Sequence, residues 1–259
     1  MRLSNKSIVI IGGTSGIGLA AAQAFVAEGA KVVALGRDDE YLSEAVKFLN
    51  DQGRVLSGDA TNPESSKKAI ALAQSTFGGF DGLYHVAGGS GRSFGDGALH
   101  EVTDEGLEKT LSLNFNSLVY SNRAALQAWL KKGQSGVILN LASVLAFSPS
   151  PKYFSTHIYA AAKAAIIGLT TSAAAYYAGK NIRINALAPG LVETPMAQRA
   201  AQNQEIMKFT KSKQPLDGGR IGAATDLVGA ATFFMSEEAK FITGQVLGVD
   251  GGWSISEGV

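Results

Sequence analysis

The chain is 259 residues long, with 31 Gly, 6 Pro, 3 His, no Cys and a net charge of +1, a length that one α/β core accommodates. Charge near zero argues against nucleic acid or a membrane surface as the main partner. The lack of Cys excludes disulfides, thiolate metal sites and cysteine nucleophiles and suits a reducing cytoplasm, while three His leave little material for a metal centre.

In chain order, Arg2 and Lys6 precede the apolar run at 7–11, which is too short for a signal-peptide core and runs straight into a glycine loop. That run, SIVII, reads as a strand. So do KVVAL, GRVL, DGLYHV, GVILNL, IRINAL and QVLGV, which are nearly continuous apolar segments of the kind helices cover on both faces. Helices are predicted at 17–28, 39–50, 63–77, 103–130, 157–178 and 224–235. Asn62 before Pro63 and Glu64, and Thr225-Asp226 before LVGAATFFM, serve as start signals. The stretch 159–179 is rich in Ala and Ile but carries Lys163 in its first turn, so a buried core helix is expected rather than a membrane span. No linker or repeat divides the chain, and one domain is expected over 1–259. Its fold class is α/β, a doubly wound parallel sheet of about seven strands with helices on both faces. In such sheets ligands bind where the strands end.

The first loop after a strand is GGTSGIG, which opens a helix. Glycines there allow a tight turn, so amide N–H groups and the helix N-terminus can face a pyrophosphate. Gly12, Gly16 and Gly18 give the spacing G-x-x-x-G-x-G, with Thr14, Ser15 and Ile17 between them. This resembles the short-chain dehydrogenase/reductase family, whose fingerprint is T-G-x-x-x-G-x-G; Ile11 stands where the family usually has Thr. The likeness runs on to VDGG at 249–252, covering essentially the whole chain. It implies a Rossmann-type fold and a nicotinamide dinucleotide.

An acid at the end of the second strand would bind the ribose 2′-OH of NAD, whereas an Arg suits the 2′-phosphate of NADP. Gly36 and Arg37 stand there, so NADP(H) is favoured over NAD(H). Asp38 is read either as a ribose ligand or, preferably, as a cap of the next helix. By resemblance, Asp59 accepts from the adenine amine beside Ala60, and Ala87 and Gly88 let the cofactor ribose lie against backbone. His85 and Val86 depart from the family's Asn-Asn-Ala-Gly, and His85 reads as a hydrogen-bonded structural residue.

Tyr159 and Lys163 are four apart on a helix and share a face. A phenol with an ordinary pKa near 10 needs a nearby cation to work as a neutral-pH acid or base. Ser143 ends the strand GVILNLAS at the ligand edge, and Asn114 lies in LSLNFNS. The resemblance gives these four residues their roles. Ser143 polarises a substrate carbonyl and Tyr159 exchanges the proton. Lys163 lowers the Tyr pKa and bonds the nicotinamide ribose, and Asn114 holds a relay water. Pro189 and Gly190 form the family's turn against the nicotinamide, with Val192 on the carboxamide and Thr194 on the phosphate side. A substrate lid is expected within 193–215, helical over 195–213.

Phe147, Tyr153 and Phe154 line a substrate pocket or cover core, and Arg92 meets an acidic substrate or, more safely, solvent. The expected activity is an NAD(P)-dependent interconversion of a small-molecule carbonyl and a secondary alcohol, with 3-oxoacyl-thioester reduction as one subtype. The alternative is a catalytically silent dinucleotide-binding sensor or regulator. No metal, nucleic acid or membrane partner is expected. A cytoplasmic homo-oligomer is expected, tetrameric by resemblance.

Overall fold

The computed structural model describes residues 1–37 and 40–258. Asp38 and Asp39 lie outside the described residues, and with them the two readings of Asp38. Strand and helix alternate: β1 (Ser7–Ile11), α1 (Gly16–Ala27), β2 (Lys31–Gly36), α2 (Glu40–Leu49), β3 (Gly53–Ser57), α3 (Pro63–Phe77), β4 (Gly82–His85), α4 (Asp104–Leu111), α5 (Ser117–Lys132), β5 (Gly136–Leu141), α6 (His157–Tyr177), β6 (Ile182–Pro189), α7 (Gln198–Ala201), α8 (Gln204–Lys213), α9 (Val228–Met235) and β7 (Val246–Val249). The strands pair in parallel in the order β3-β2-β1-β4-β5-β6-β7. Chain order reverses between β1 and β4, so the loops that follow these two strands leave in opposite directions and open a crevice there.

Side-chain alternation along β1 divides the core in two. Ile8 and Ile10 pack with Ala21 and Phe25 of α1 and with Ala231 and Phe234 of α9. Val9 and Ile11 pack on the other face with Ala69 and Ile70 of α3 and with Ala125 and Trp129 of α5. The edge strands are less covered: in β7, Leu247 is 42% exposed.

Three predicted helices differ in the structure. The segment 103–130 is α4 and α5 joined by a π-helical turn, Ser112–Asn116. Within it, Asn114 Nδ2 donates to the Thr110 carbonyl at 2.9 Å, the acceptor that an α-helix would offer to the Asn114 amide. The segment 195–213 breaks into a 3₁₀ turn, α7 and α8, because Asn203 stops one helix and caps the next by accepting from Ile206 N at 3.0 Å. At 224–235 a 3₁₀ turn precedes α9, and Asp226 accepts from Ala223 N at 2.7 Å. The Asn62 signal holds as read, its side chain accepting from Glu64 N at 3.0 Å.

Helix α6 is long and apolar enough to cross a membrane, yet it packs on β6, and its buried residues form one stripe that includes Ile158, Ala162, Ile166, Thr170 and Ala174. Its opposite face is open, so the expectation of a buried core helix holds for one side only.

Trp129 anchors one half of the core. It is fully buried, donates from Nε1 to the Phe80 carbonyl at 2.7 Å, and stacks on the Phe80 ring at 4.8 Å between centroids. Trp129→Ala is expected to cost about 3–5 kcal/mol of unfolding free energy, measured by urea titration. A loss under about 1 kcal/mol would mean that the site collapses freely.

Candidate active site

The crevice between the ends of β1 and β4 is built by backbone approach. Gly12 has φ +83°, and a Cβ there would lie 2.7 Å from Ala87 N. Gly16, at φ +49°, faces Thr194. Ser15 is the N-cap of α1 but makes no side-chain cap bond, so no side chain of Ser15 covers the first amides of this twelve-residue helix. Gly12, Thr14, Ser15, Gly16 and Ile17 line the cleft, as do Arg37, Asp59, Ala60, Ala87 and Gly88. Gly18 does not line it. A Cβ at Gly18 would collide with the Gly12 carbonyl, so its role is to let α1 lie against the loop rather than to touch a ligand.

Two details bear on the adenosine end. A side chain at Gly36 would collide with Thr14, which is itself 96% buried, so the end of β2 admits no carboxylate there. The next residue, Arg37, is exposed on the cleft wall. Asp59 Oδ1 already accepts from Thr61 N and Oγ1, each at 2.8 Å, which leaves Oδ2 for another donor.

The cleft shares Gly88, Gly89, Leu141 and Thr194 with a second cavity lined by Ser143, Tyr159 and Lys163. Lys163 reaches back from α6 and donates to the Leu141 carbonyl at 2.8 Å, with its Nζ 5.5 Å from the Tyr159 ring centroid. Burial pushes Lys163 down to about 7. Burial also pushes the Tyr159 phenol above its usual range, while a hydrogen bond with Ser143 works the other way. Desolvation is the largest influence on both groups, and Lys163 is not among the causes that shift the phenol here.

Asn114 is fully buried and lines neither cavity. Both Nδ2 hydrogens are used, on the Gly89 and Thr110 carbonyls at 2.8 and 2.9 Å, and Oδ1 accepts from Gly89 N at 3.1 Å. The side chain thus fixes the loop after β4, and the second lone pair of Oδ1 remains as an acceptor. His85 is structural, as read. It is buried, bonded to Ser121 Oγ at 2.8 Å, and held neutral by burial, with its pKa pushed down to about 3.

Other site residues carried no local sequence signal. Asp96 is buried and accepts from the amides of Ile158 and Tyr159 at 3.0 and 2.9 Å, so a carboxylate 63 positions away caps the helix that carries the phenol. Gln214 clamps the turn after β6, accepting from Leu191 N at 2.5 Å and donating to Leu191 O at 3.2 Å. Pro189, Gly190, Val192 and Thr194 line the cavity beside it. Of the three aromatic candidates only Phe154 lines the cavity. Tyr153 packs on Phe209 of α8, and Phe147 is half-exposed. Trp253 is buried and contacts both Phe154 and Phe209. Arg92 is not free in solvent. It is half-buried in the cavity wall.

A family model described as Enoyl-(Acyl carrier protein) reductase matches residues 12–254. The chain is a short-chain dehydrogenase/reductase. It is 34% identical over 258 residues to the 2-(S)-hydroxypropyl-CoM dehydrogenase 3 of Xanthobacter autotrophicus, covering 97% of each chain. It is 32% identical to the 3-oxoacyl-acyl-carrier-protein reductase of Vibrio cholerae, covering 97% of this chain and 98% of the relative. A short-chain type dehydrogenase/reductase from Mycobacterium ulcerans superposes with a TM-score of 0.89 at 29% identity, over 99% of this chain and 92% of that one. Members of this family are oxidoreductases that act between CH–OH and C=O with NAD(P)(H). The glycine cradle fits such a dinucleotide, because Gly12 and Gly16 line the cleft with bare backbone at positive φ and the first turn of α1 opens there.

In this short-chain dehydrogenase/reductase, Asp96→Ala is expected to destabilise the fold by about 1–2 kcal/mol. It should also lower kcat more than it raises KM, because the turn that carries Tyr159 loses its cap. Steady-state kinetics alongside thermal unfolding tests this, and unchanged kcat would remove Asp96 from the site.

Proposed function

We propose that the protein is an NADPH-preferring carbonyl reductase acting on a small molecule. The observation that carries this reading is that Ser143, Tyr159 and Lys163 come together in a cavity that opens into the glycine-lined cleft. Gly12, Thr14, Ser15, Gly16 and Ile17 would hold the pyrophosphate, with Asp59, Ala60 and Arg37 at the adenosine end and Pro189, Gly190, Val192 and Thr194 at the nicotinamide end. When bound, the nicotinamide supplies the hydride. Ser143 holds the substrate carbonyl oxygen, and Tyr159 gives its proton to that oxygen as negative charge develops. Burial keeps Tyr159 protonated at neutral pH, so it is ready to act as an acid without a prior ionisation. Lys163 lies beside the ring, and a charged ammonium there offsets the cost of the phenolate left behind. Asn114 and Asp96 position the loop and the helix that meet at this point.

Arg37 on the cleft wall and the exclusion of a carboxylate at Gly36 both support NADPH. We assign the lid to 193–215, whose 3₁₀ turn and α7 border the cavity with Met196, Ala197, Arg199 and Ala200. Cytoplasmic localisation, one domain over the whole chain and a homo-oligomer are parts of the same reading. Reduction of a 3-oxoacyl thioester is one subtype, in keeping with the name of the Vibrio cholerae relative. The silent-regulator alternative is disfavoured by the intact Tyr159 and Lys163.

Tyr159→Phe should lower kcat by about 10²–10⁴-fold with NADPH binding retained, in an assay of NADPH oxidation over a carbonyl panel; equal turnover would eliminate Tyr159 as the acid. In the reverse direction the phenol must ionise first. Alcohol oxidation should therefore rise with pH above neutrality, while carbonyl reduction should not. Arg37→Ala should weaken NADPH by about 10–100-fold through the lost charge-assisted bonds and leave NADH nearly unchanged. Equal losses for both nucleotides would refute the phosphate contact.

A further inference from the structure

The cavity beside Tyr159 is electrostatically one-sided. Among the described residues that line it, Arg92, Lys163 and Arg199 are basic and none is acidic, in a chain whose 23 Lys and Arg nearly balance 22 Asp and Glu. Arg92 sits in a short turn after β4, and among the described residues its guanidinium makes one hydrogen bond, to the Tyr153 carbonyl at 3.3 Å. The side chain of Arg199, on α7, forms no hydrogen bond or ion pair among the described residues. The acid nearest in its effect on Arg92 is Asp96, and both of its oxygens are engaged by the amides of Ile158 and Tyr159. Both guanidiniums line the one cavity, and Arg92 loses basicity first through burial and then through repulsion from Arg199. Two planar cations on one cavity wall, Arg92 half-buried and Arg199 exposed, with no carboxylate among the lining residues, offer the charge-assisted donors by which Arg binds an oxyanion.

We propose that the substrate carries an oxyanion, a carboxylate or a phosphate, that Arg92 and Arg199 bind together while Ser143 and Tyr159 hold its carbonyl. The proposal rests on the reading of this cavity as the substrate site of a carbonyl reductase. It makes Arg92 and Arg199 specificity-determining residues. Because Arg199 lies in the segment assigned as the lid, it also links recognition of the anion to covering of the cavity.

The test uses methyl ketones of graded length that end in a carboxylate or a phosphate, each with a neutral carboxamide or alcohol twin, on the wild type and on R92Q, R199Q and the double variant. NADPH affinity is measured in parallel by fluorescence. The expected result is a preference of about 10–100-fold in kcat/KM for the anionic ketones. Either anion winning supports the proposal and names the oxyanion. In the double variant the ratio should fall to near unity, with turnover of the neutral ketones and NADPH affinity retained. Equal turnover of anionic and neutral twins by the wild type would overturn the proposal. So would a double variant that weakens NADPH and leaves the ratio intact, which would assign the guanidiniums to the dinucleotide's phosphates. If no ketone is turned over, the reductase reading fails, and calorimetric titration of the corresponding hydroxy acids and hydroxy amides decides the anion site. Acid binding that the double variant abolishes sustains it, and no binding of the acid removes it.

Discussion

Lys163 reaches from α6 to the Leu141 carbonyl at the end of β5, a 2.8 Å bond at a residue that is only 3% exposed. An ammonium in such surroundings is costly, and burial pushes its pKa down to about 7. The neighbouring Tyr159 meets the same environment from the opposite side of the charge balance, its phenol held protonated. Each group resists ionising alone, while a phenolate and an ammonium formed together offset one another. The proton transfer proposed for Tyr159 would draw on that mutual offset. The ends of the elements around this pair serve it: Asp96 caps the helix that carries both residues, and Asn114 and His85 lock the loop and strand end beside it.

The glycines near the site answer a second constraint, the need for backbone to approach backbone. Gly12 lies against Ala87, Gly18 against the Gly12 carbonyl, and Gly36 gives its side-chain space to Thr14. The last of these also leaves no room for an acidic side chain at position 36. The compositional excess of glycine is thus partly a record of where a long ligand's path crosses the sheet.

Much of this was legible in the sequence because it is local. Strand runs, the Asn62 cap, the glycine spacing and the four-residue step from Tyr159 to Lys163 all depend on neighbours in the chain, and the sheet order is consistent with them. What was not legible depends on distant partners. Asp96 and Gln214 have no motif and act across tens of residues, while the π-helical turn follows from a side chain of Asn114 competing for its own helix's carbonyl. The environment of Lys163 was also hidden. Sequence shows that a cation stands near a phenol, but only burial shows that the cation is weakened.

The most direct test of this account is the titration of Lys163 itself, followed by NMR in protein labelled with ¹³C at the lysine Cε and assigned by comparison with Lys163→Met. The account expects one lysine signal with a midpoint near 7, absent from the variant. If every lysine signal instead titrates near the ordinary value of about 10.4, Lys163 is solvated and fully charged, and the coupled burial of cation and phenol is wrong.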